Sequence, residues 1–300
     1  MDRVDAMRVF VAIADAGGFA AAGRQLRMSP PAVTRAVASL EASLGTRLLV
    51  RTTRTVRLTE PGTRYLEDCR RILAAIAEAE AAAAGAYAEP SGTLAVTASV
   101  MFGRLYVLPV LTEFLDRHPR VSARALFVDR VTHLVDEGLD VAVRIAHLPD
   151  SSLTAIRVGA VRRVVVAAPA YLAAHGEPAT PADLAGHRIV ASFGASTPAA
   201  WSFGGPGAPT VTVLPRLACS TLDATIDAAL SGWGLARVLS YQVAGHLQDG
   251  SLRAVLTGWE PEPVPVHIVH AEGRSTSAKV RAFVDLAVAR LRADRRLNPS

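Results

Sequence analysis

The chain has 300 residues, of which 50% are hydrophobic and 20% are charged. At about 150 residues per domain, this length predicts two domains with enough apolar side chains for a substantial core. The composition excludes a disordered or collagen-like chain, and charged residues interrupt every apolar run before it reaches membrane-spanning length. We therefore expect a soluble globular protein.

The first residues and the cysteines both favour a cytoplasmic protein. Residues 1–5 contain two acids and lack the basic start and apolar run of a secretory signal. Cys69 and Cys219 are far apart in the sequence, so they support neither a disulfide framework nor a cysteine-based metal site. We expect two reduced thiols, no metal and no membrane partner.

The net charge of +5 is unevenly distributed. Between residues 20 and 58 the chain carries seven arginines against one acid, Glu41, an excess larger than that of the whole chain. Such a segment has the electrostatic footprint of a module that binds a polyanion. The arginines are Arg24, Arg27, Arg35, Arg47, Arg51, Arg54 and Arg57.

Hydrophobic spacing predicts three helices at the start of the chain, over residues 2–15, 19–26 and 30–44. Ser29 precedes two prolines, and a serine whose hydroxyl accepts from first-turn amides, followed by proline, is a helix start. Apolar residues at three- and four-residue steps predict the buried face of the third helix. That face comprises Val33, Val37, Leu40 and Leu44, which leaves Thr34, Arg35, Ala38 and Glu41 elsewhere on the circumference.

The next elements are a hairpin and a long helix. β-prone runs at residues 48–51 and 55–59 predict the hairpin, and an alanine-rich helix follows from about residue 61 to about residue 88. Its apolar residues recur at alternating four- and three-residue steps, which favours a dimerisation seam, although the helix could instead lie on its own domain. The seam comprises Tyr65, Cys69, Ile72, Ile76, Ala79 and Ala83.

The rest of the chain alternates between strand and helix patterns after a linker at residues 89–92, which predicts βα units with a parallel sheet. Strands are predicted at residues 92–99, 121–128, 139–145, 161–167, 189–193 and 264–270. Helices are predicted at residues 104–118, 131–137, 169–174, 222–230 and 277–292.

Helix, short helix, proline-started helix and basic hairpin form the order of a winged helix-turn-helix. The N-terminal motifs resemble the DNA-binding half of LysR-type transcriptional regulators, and C-terminal motifs resemble the CrgA-like subgroup of that family's effector-binding domain. The N-terminal motifs are Ser29–Arg35, Leu40–Glu41, Leu44–Gly45, Arg51–Arg54 and Leu58–Gly62. The C-terminal motifs are Phe102–Arg104, Asp140–Ile145, Pro149–Leu153, Pro169–Leu172, Pro181–His187 and Lys279–Asp285.

The resemblance implies an α+β multidomain fold. A winged helix-turn-helix domain (residues 1–60) and a linker helix that dimerises (61–89) would precede a two-lobed α/β domain (90–300) similar to type 2 periplasmic binding proteins. Lobe I would comprise residues 90–161 and 267–300, and lobe II residues 162–266. The implied function is regulation of transcription by a dimer or tetramer, with double-stranded DNA, a small-molecule effector and RNA polymerase as partners and no other cofactor.

The DNA-binding residues follow from the geometry of the third helix. A helix with one apolar face against its neighbours presents the other to the major groove, where Thr34 and Arg35 would reach base edges. The N-terminal ends of helices bind phosphates, so Ser29, Pro30 and Pro31 are predicted to contact the DNA backbone. Arg51 and Arg54 would contact phosphates or the minor groove, and Arg57 is a weaker candidate. Gly18 replaces the capping serine usual in the family, at a cost of a few tenths of a kcal/mol.

Small-molecule binding is predicted in the cleft between the lobes. Ser99, Val100 and Met101 follow the first strand, where a hydroxyl and exposed amides suit an anion or a carbonyl. By resemblance, further residues from both lobes face the same gap, although Ser220 and Thr221 could be only a helix cap and Arg144 could pair with a carboxylate. These residues are Arg144, Ile145, Ser192, Phe193, Ser220 and Thr221.

Two other functions fit parts of the pattern. One is an enzyme of the two-lobed class with an attached nucleic-acid-binding module, and the other is a non-specific DNA-binding protein. The enzyme is disfavoured because the sequence has no Gly-x-Ser-x-Gly elbow and no phosphate-binding loop with lysine. His267 and His270 lie three apart on a predicted strand, which directs their rings to opposite faces.

Overall fold

A computed structural model describes residues 2–51, 56–83, 89–192, 199–204, 209–271 and 277–298. The chain forms two compact units whose boundary lies between Gly92 and Thr93. Among the described helices, none combines the length and the apolar content that a bilayer crossing requires.

The N-terminal unit contains the predicted helices and hairpin. Asp2 begins the first helix, since its side chain accepts a hydrogen bond from the Asp5 N–H at 2.8 Å. The helix predicted to reach about residue 88 is described as far as Ala83, and its predicted end lies outside the described residues. The elements are α1 (Arg3–Ala16), α2 (Phe19–Leu26), α3 (Pro30–Leu44), β1 (Leu49–Arg51), β2 (Val56–Leu58) and α4 (Glu60–Ala83).

Apolar faces of α1 and α3 form the core of this unit. Phe10 and Ile13 of α1 and Val33 and Val37 of α3 are fully buried, in one cluster with Leu48 before the hairpin. The predicted buried face of α3 is confirmed, because Leu40 is also buried and Leu44 packs partly against the same cluster. The face of α3 opposite to this core is therefore left to solvent.

The C-terminal unit contains two five-stranded sheets. Its helices are α5 (Val100–Phe102), which continues through a π-helical turn into α6 (Leu108–Arg117), α7 (Pro169–His175), α8 (Leu222–Leu230), α9 (Ala244–Gln248) and α10 (Ala278–Ala293). Its strands are β3 (Gly92–Ala98), β4 (Val121–Phe127), β5 (Val141–Ile145), β6 (Leu153–Val161), β7 (Arg163–Ala167), β8 (Ile189–Ser192), β9 (Ala199–Ser202), β10 (Thr210–Val213), β11 (Leu217–Cys219), β12 (Leu235–Leu239), β13 (Arg253–Val255) and β14 (Val264–Ala271).

Each sheet defines one lobe, and both sheets are mixed. Lobe I has the strand order β4-β3-β5-β14-β6 and lobe II the order β11-β8-β12-β7-β13, with β9 and β10 as a separate hairpin. The prediction of parallel strands holds for β3 with β5 and for β11, β8 and β12, whereas β14 and β7 pair antiparallel to their neighbours. The chain crosses between lobes after β6 and again after β13. Because β14 joins lobe I from Val264, the predicted lobe boundary at residue 267 falls inside a strand.

The structure corrects two sequence predictions in this unit. Residues 131–137 form turns instead of a helix. The Glu137 carboxylate binds the Arg130 guanidinium and the His133 N–H, and Gly138 ends the segment with a φ of 61°. The Glu137 N–H also donates to the His133 carbonyl oxygen at 3.0 Å, so the segment makes a single turn that does not extend into a helix. The predicted strand at residues 161–167 is two strands, β6 and β7, which belong to different sheets. The earlier part of β6 escaped prediction because its apolar alternation is weak.

Candidate nucleic-acid interface and small-molecule site

The residues predicted to read base edges lie on the exposed face of α3. Thr34, Arg35 and Ala38 are exposed, while Val33 and Val37 on the opposite face are buried in the core. Arg35 lies outside every salt bridge formed by the described residues, so its guanidinium keeps its donors for another partner. This arrangement can place paired N–H donors against a base edge in a major groove.

The entry of α3 differs in detail from the prediction. Ser29 has the extended backbone of an N-cap, but its hydroxyl makes no capping hydrogen bond. Its carbonyl oxygen instead accepts from the N–H groups of Ala32 at 2.9 Å and Val33 at 3.1 Å. Pro30 and Pro31 have no N–H group. A phosphate at this entry would therefore meet the exposed Ser29 hydroxyl.

Glu41 connects α3 to the hairpin. Its Oε1 accepts hydrogen bonds from the backbone N–H of Leu48 at 2.8 Å and of Leu49 at 3.1 Å. The strands β1 and β2 then pair antiparallel, with Leu49 opposite Leu58. The one acid of the basic segment is thus engaged with backbone amides and forms no salt bridge with the arginines around it in the described part of the chain.

Five of the seven basic-segment arginines have described side chains, and all are exposed. None of the five takes part in a salt bridge among the residues that the structure describes. Their charges are therefore available to an external polyanion. They are Arg24, Arg27, Arg35, Arg47 and Arg57. Arg51 is described by its backbone at the end of β1, whereas its side chain, and Arg54 entirely, lie outside the described residues.

The predicted dimerisation seam on α4 divides into two parts. Cys69 is fully buried inside its own unit, and the Tyr65 ring lies 5.9 Å from the ring of Phe10, measured between centroids. Burial raises the pKa of the Cys69 thiol and, with Cys69 alongside, raises the pKa of Tyr65 to about 12. Direct contact of Cys69 with a second chain is thus excluded in this conformation, and that part of the prediction is wrong.

The later part of the seam is more accessible. Ile72 is 38% exposed, and Ile76 is half-buried. The side chains of Ala79 and Ala83 lie outside the described residues. The first turns of α4 therefore lie on their own domain, while Ile72 leaves an apolar side chain open to a partner.

In lobe I, the predicted ligand-binding residues lie at one edge of the sheet. Ser99 follows β3, and Arg144 and Ile145 end β5, which runs parallel to β3. The Val100 side chain is 42% exposed, but its N–H donates to the Asp129 carboxylate at 3.0 Å. Of the amides predicted to be exposed at this helix start, that of Val100 is therefore already bonded within the chain.

Three further lobe I residues are buried or bonded within the chain. Met101 is buried, and the Ser99 hydroxyl is buried as well. The Arg144 guanidinium donates to the carbonyl oxygen of Thr132. Among the described residues, Arg144 therefore bonds a backbone carbonyl and not the carboxylate considered as an alternative from the sequence.

In lobe II, the predicted residues lie at the carboxyl ends of adjacent strands. Ser192 ends β8 and pairs in register with Cys219, which ends β11 and precedes Ser220. Ser220 is exposed and Ser192 half-buried. Thr221 caps α8, since its Oγ1 accepts from the Ala224 N–H at 3.3 Å, as the alternative interpretation predicted. Phe193 lies outside the described residues.

The structure adds a cavity that the sequence did not predict. Its volume is about 210 Å³, and it lies beside the β9–β10 hairpin. Trp201 and Arg237 are 36 positions apart in the sequence, and only the packing of the hairpin brings them together. The lining residues are Arg163, Trp201, Leu222, Arg237, Val238, Leu239 and Gln242. Within the described ranges, no group of three or more His, Cys, Asp and Glu side chains is placed to hold a metal ion.

Two protein-family models match the chain. Residues 4–63 match the bacterial regulatory helix-turn-helix protein of the lysR family, and residues 88–292 match the LysR substrate binding domain. The first match covers α1, α2, α3 with its exposed face, the strands β1 and β2, and only the first residues of α4. The second covers the two lobes.

Relatives and solved structures agree with this assignment. The chain is 34% identical to an HTH-type transcriptional repressor of Pseudomonas aeruginosa strain UCBPP-PA14 over 95% of this chain and 91% of that protein. It is 30% identical to the HTH-type transcriptional regulator CrgA of Neisseria meningitidis serogroup C over 95% of this chain and 96% of that one. A solved structure of CrgA, a LysR-type transcriptional regulator from Neisseria meningitidis, superposes with a TM-score of 0.61 at 29% identity, covering 97% of this chain and 99% of that chain.

The matched segments together account for the winged helix-turn-helix and for the two-lobed domain. The chain belongs to the LysR family of bacterial transcriptional regulators.

Proposed function

We propose that this regulator reads a specific operator through α3 and neutralises the DNA backbone with the arginines of the basic segment. One observation carries the proposal: α3 buries Val33 and Val37 and leaves Thr34 and Arg35 exposed. Arginine pairs two donors with guanine in the major groove, and each good bidentate pair contributes about 1–3 kcal/mol of discrimination.

The other exposed arginines have a different role in this proposal. Arg47 and Arg57 are exposed residues before and within the hairpin, and they would contact phosphates, which carry no sequence information. Binding through such contacts weakens with salt because counterions are released from the DNA. Affinity for any duplex therefore depends on these side chains, while preference for one sequence depends on Arg35.

The test compares Arg35→Ala with Arg57→Ala on an operator recovered by genomic footprinting and on random duplex of equal length. We expect Arg35→Ala to lose preference for the operator and Arg57→Ala to lower the affinity for both duplexes equally. Arg117→Ala, in the C-terminal unit, is the matched control and should bind as the wild type does. Equal affinity of the wild type for both duplexes at fixed salt would indicate a non-specific DNA-binding protein and overturn the proposal.

We further propose that the protein acts as a homo-oligomer whose α4 helices meet around Ile72. A two-fold pair of DNA-binding units predicts half-sites separated by whole helical turns. Ile72→Asp should weaken the oligomer in sedimentation velocity, since it places a charge in an apolar contact. Ala77→Asp adds the same charge at an exposed position on another side of α4 and should leave the oligomer intact. Identical sedimentation of the two variants would contradict this interface.

The C-terminal unit is proposed to bind a small-molecule effector that shifts the population of two oligomer geometries. No catalytic activity is proposed for it, and we expect no turnover when the purified protein is incubated with candidate metabolites. The regulator would act on chromosomal DNA in the cytoplasm and would contact RNA polymerase there. A pull-down of RNA polymerase on operator DNA, with and without the protein, tests the last point.

A further inference from the structure

Arg237 places a positive charge at the cavity in lobe II, and no acidic side chain of the described residues pairs with it. Its guanidinium carbon lies 5.6 Å from the ring centroid of Trp201 and 5.3 Å from that of Phe203. Its Nη2 donates to the carbonyl oxygen of Ser202 at 2.5 Å. Its Nε is buried and has no hydrogen-bond partner among the described residues.

The position of Arg237 follows from strand alternation. Ala236 and Val238 of β12 face the large core that extends through both sheets, whereas Leu235 packs in the cluster that contains Trp201 and Phe203. Arg237 is on the same side of the strand as Leu235. The β9–β10 hairpin therefore encloses this arginine with aromatic side chains.

The electrostatic surroundings make the positive charge costly. Burial, and to a lesser extent the charge of Arg163, lower the pKa of Arg237 to about 10. No carboxylate lies within salt-bridge distance of either arginine in the described part of the chain. Arg237 is half-buried, and cation–π contacts with Trp201 and Phe203 compensate only part of the desolvation of its charge. The cavity thus has two cationic groups and no counter-charge from the described residues.

The size and lining of the cavity limit what could supply that counter-charge. Its volume of about 210 Å³ is below the roughly 300–1,000 Å³ of sites for drug-sized ligands. Leu222 and Leu239 supply an apolar wall, and Trp201 supplies an aromatic one. The Gln242 side chain is engaged, because its Oε1 accepts from the Leu239 N–H and its Nε2 donates to the Tyr241 hydroxyl. The fitting ligand is a compact anion with one apolar ring.

We propose that this cavity binds a small aromatic carboxylate, whose carboxylate pairs with Arg237 and Arg163 and whose ring packs against Trp201 and Leu222. The proposal rests on the proposed ligand-controlled function and names the ligand class for it. Planar guanidinium groups recognise carboxylates through paired donors, and the side chains of both Arg163 and Arg237 line the cavity. Aromatic rings gain contact energy from Trp201 beyond burial alone.

The test measures direct binding of benzoate to the full chain in the absence of DNA by isothermal titration calorimetry. Cyclohexanecarboxylate keeps the charge and removes the aromatic ring, benzamide keeps the ring and removes the charge, and inorganic phosphate is a ringless anion. We expect benzoate to bind at millimolar concentration or below and each of the other three to bind at least about tenfold more weakly.

Variants locate the site. Arg237→Met removes the charge at similar length and should weaken benzoate binding at least about tenfold, the loss of one charge-assisted pair. Arg237→Lys should retain part of the affinity, because the charge remains and the planar donor pair is lost. Arg163 is exposed, so Arg163→Gln leaves the core intact; it should lose less benzoate affinity than Arg237→Met. If Arg237→Met does not fold, Arg163→Gln tests the location of the site in its place. Arg253→Gln, an arginine of the same sheet that pairs with Glu177 outside the cavity, should bind benzoate as the wild type does.

Three results would overturn the proposal. The wild type does not bind benzoate; Arg163→Gln and a folded Arg237→Met both bind benzoate as tightly as the wild type; or the wild type binds phosphate as tightly as benzoate. These readouts contain no DNA. Operator recognition by a protein that fails to bind benzoate would therefore refute the ligand class alone, and benzoate binding by a protein without operator preference would refute only the proposed function.

Discussion

Glu41 and Leu48 are joined by a hydrogen bond of 2.8 Å from the Leu48 N–H to the Glu41 carboxylate. The bond connects the helix proposed to read DNA with the strand that follows it. Leu49 donates to the same oxygen atom. The orientation of α3 relative to the hairpin is therefore set by an acid that the sequence presents only as the exception in a run of arginines.

The Glu41 contact predicts a difference between two substitutions. Glu41→Ala removes the acceptor and leaves two partly buried N–H groups without it, at a cost of about 1–3 kcal/mol for an unsatisfied buried group. Glu41→Gln keeps an amide oxygen at the same position and should lose less stability. Urea unfolding of the full chain, followed by circular dichroism, gives both values.

Comparison of the two Glu41 variants also separates charge from geometry. If the negative charge of Glu41 stabilised the unit by offsetting repulsion among the arginines, Glu41→Gln and Glu41→Ala would be destabilised equally, since both remove that charge. Equal destabilisation would thus contradict the hydrogen-bonding role.

Gly62 predicts a second stability effect, at the start of α4. A Cβ atom at this position would lie 2.0 Å from the carbonyl oxygen of Leu48, so Gly62→Ala requires the backbone of α4 or of the Leu48 segment to move. We expect a loss of about 1–3 kcal/mol or more, as for overpacked cores. The Gly62 N–H also donates to the Thr59 hydroxyl at 2.9 Å, a bond that such a movement would strain.

Gly245→Ala is the matched control for Gly62→Ala. Gly245 lies in α9, and a Cβ there has no heavy atom within 4 Å. Alanine is favoured over glycine in helices by about 0.5–1 kcal/mol, so this variant should unfold at an equal or higher temperature. A Gly62→Ala protein as stable as the wild type would show that the close contact is relieved without cost.

The two cysteines are expected to differ in reactivity. Cys69 is fully buried and burial raises the pKa of its thiol, whereas Cys219 is partly exposed. Since the thiolate is the reactive form, iodoacetamide should alkylate Cys219 in the native protein at least about tenfold faster than Cys69, whose modification requires opening of the N-terminal core. Peptide mass spectrometry after timed labelling measures the two rates.

The same labelling tests whether the first turns of α4 pack on their own unit. In urea above the unfolding midpoint, both thiols should react at similar rates. Rapid alkylation of Cys69 in the native protein would indicate that the first turns of α4 detach from α1 and would restore this residue as a candidate for contact between chains.

Glu137 predicts a pH dependence. Its hydrogen bond with the Arg130 guanidinium lowers the pKa of the carboxyl from 4.5 to about 2, and the His133 N–H adds to the effect. A carboxyl with a depressed pKa in the folded state stabilises the fold above the pKa of the unfolded state, and this contribution is lost as pH falls through the folded value. The contribution of Glu137 should therefore be complete above about pH 5 and fade between about 4.5 and 2.

The measurement is the thermal midpoint of wild type and Glu137→Gln over this pH range. The variant should be less stable near neutral pH, and the difference should shrink on acidification. Asp136→Asn, which removes an exposed charge from the adjacent position, controls for the general loss of a negative charge. A constant difference between Glu137→Gln and wild type at all pH values would contradict the ion-pair explanation.

Local patterns in the sequence were sufficient for the N-terminal unit. The spacing of Val33, Val37 and Leu40, the prolines after Ser29 and the glycine after Leu44 determine the bounds of α3 and its buried face, because helix periodicity and capping depend on neighbours within a few positions. The concentration of arginine likewise needs no coordinates. These features predicted the exposed face of α3 before any packing was known.

Tertiary structure decided which apolar and charged side chains are buried within the chain and which stay exposed. The apolar spacing on α4 is the same whether Cys69 meets a second chain or the core beneath α1, and only packing shows that it is buried. Glu41 and Arg237 are similar cases, since their partners at Leu48 and Trp201 come from other elements. Burial and desolvation are properties of contacts between segments distant in sequence, and a one-dimensional pattern records which side chains are apolar or charged but not what covers them.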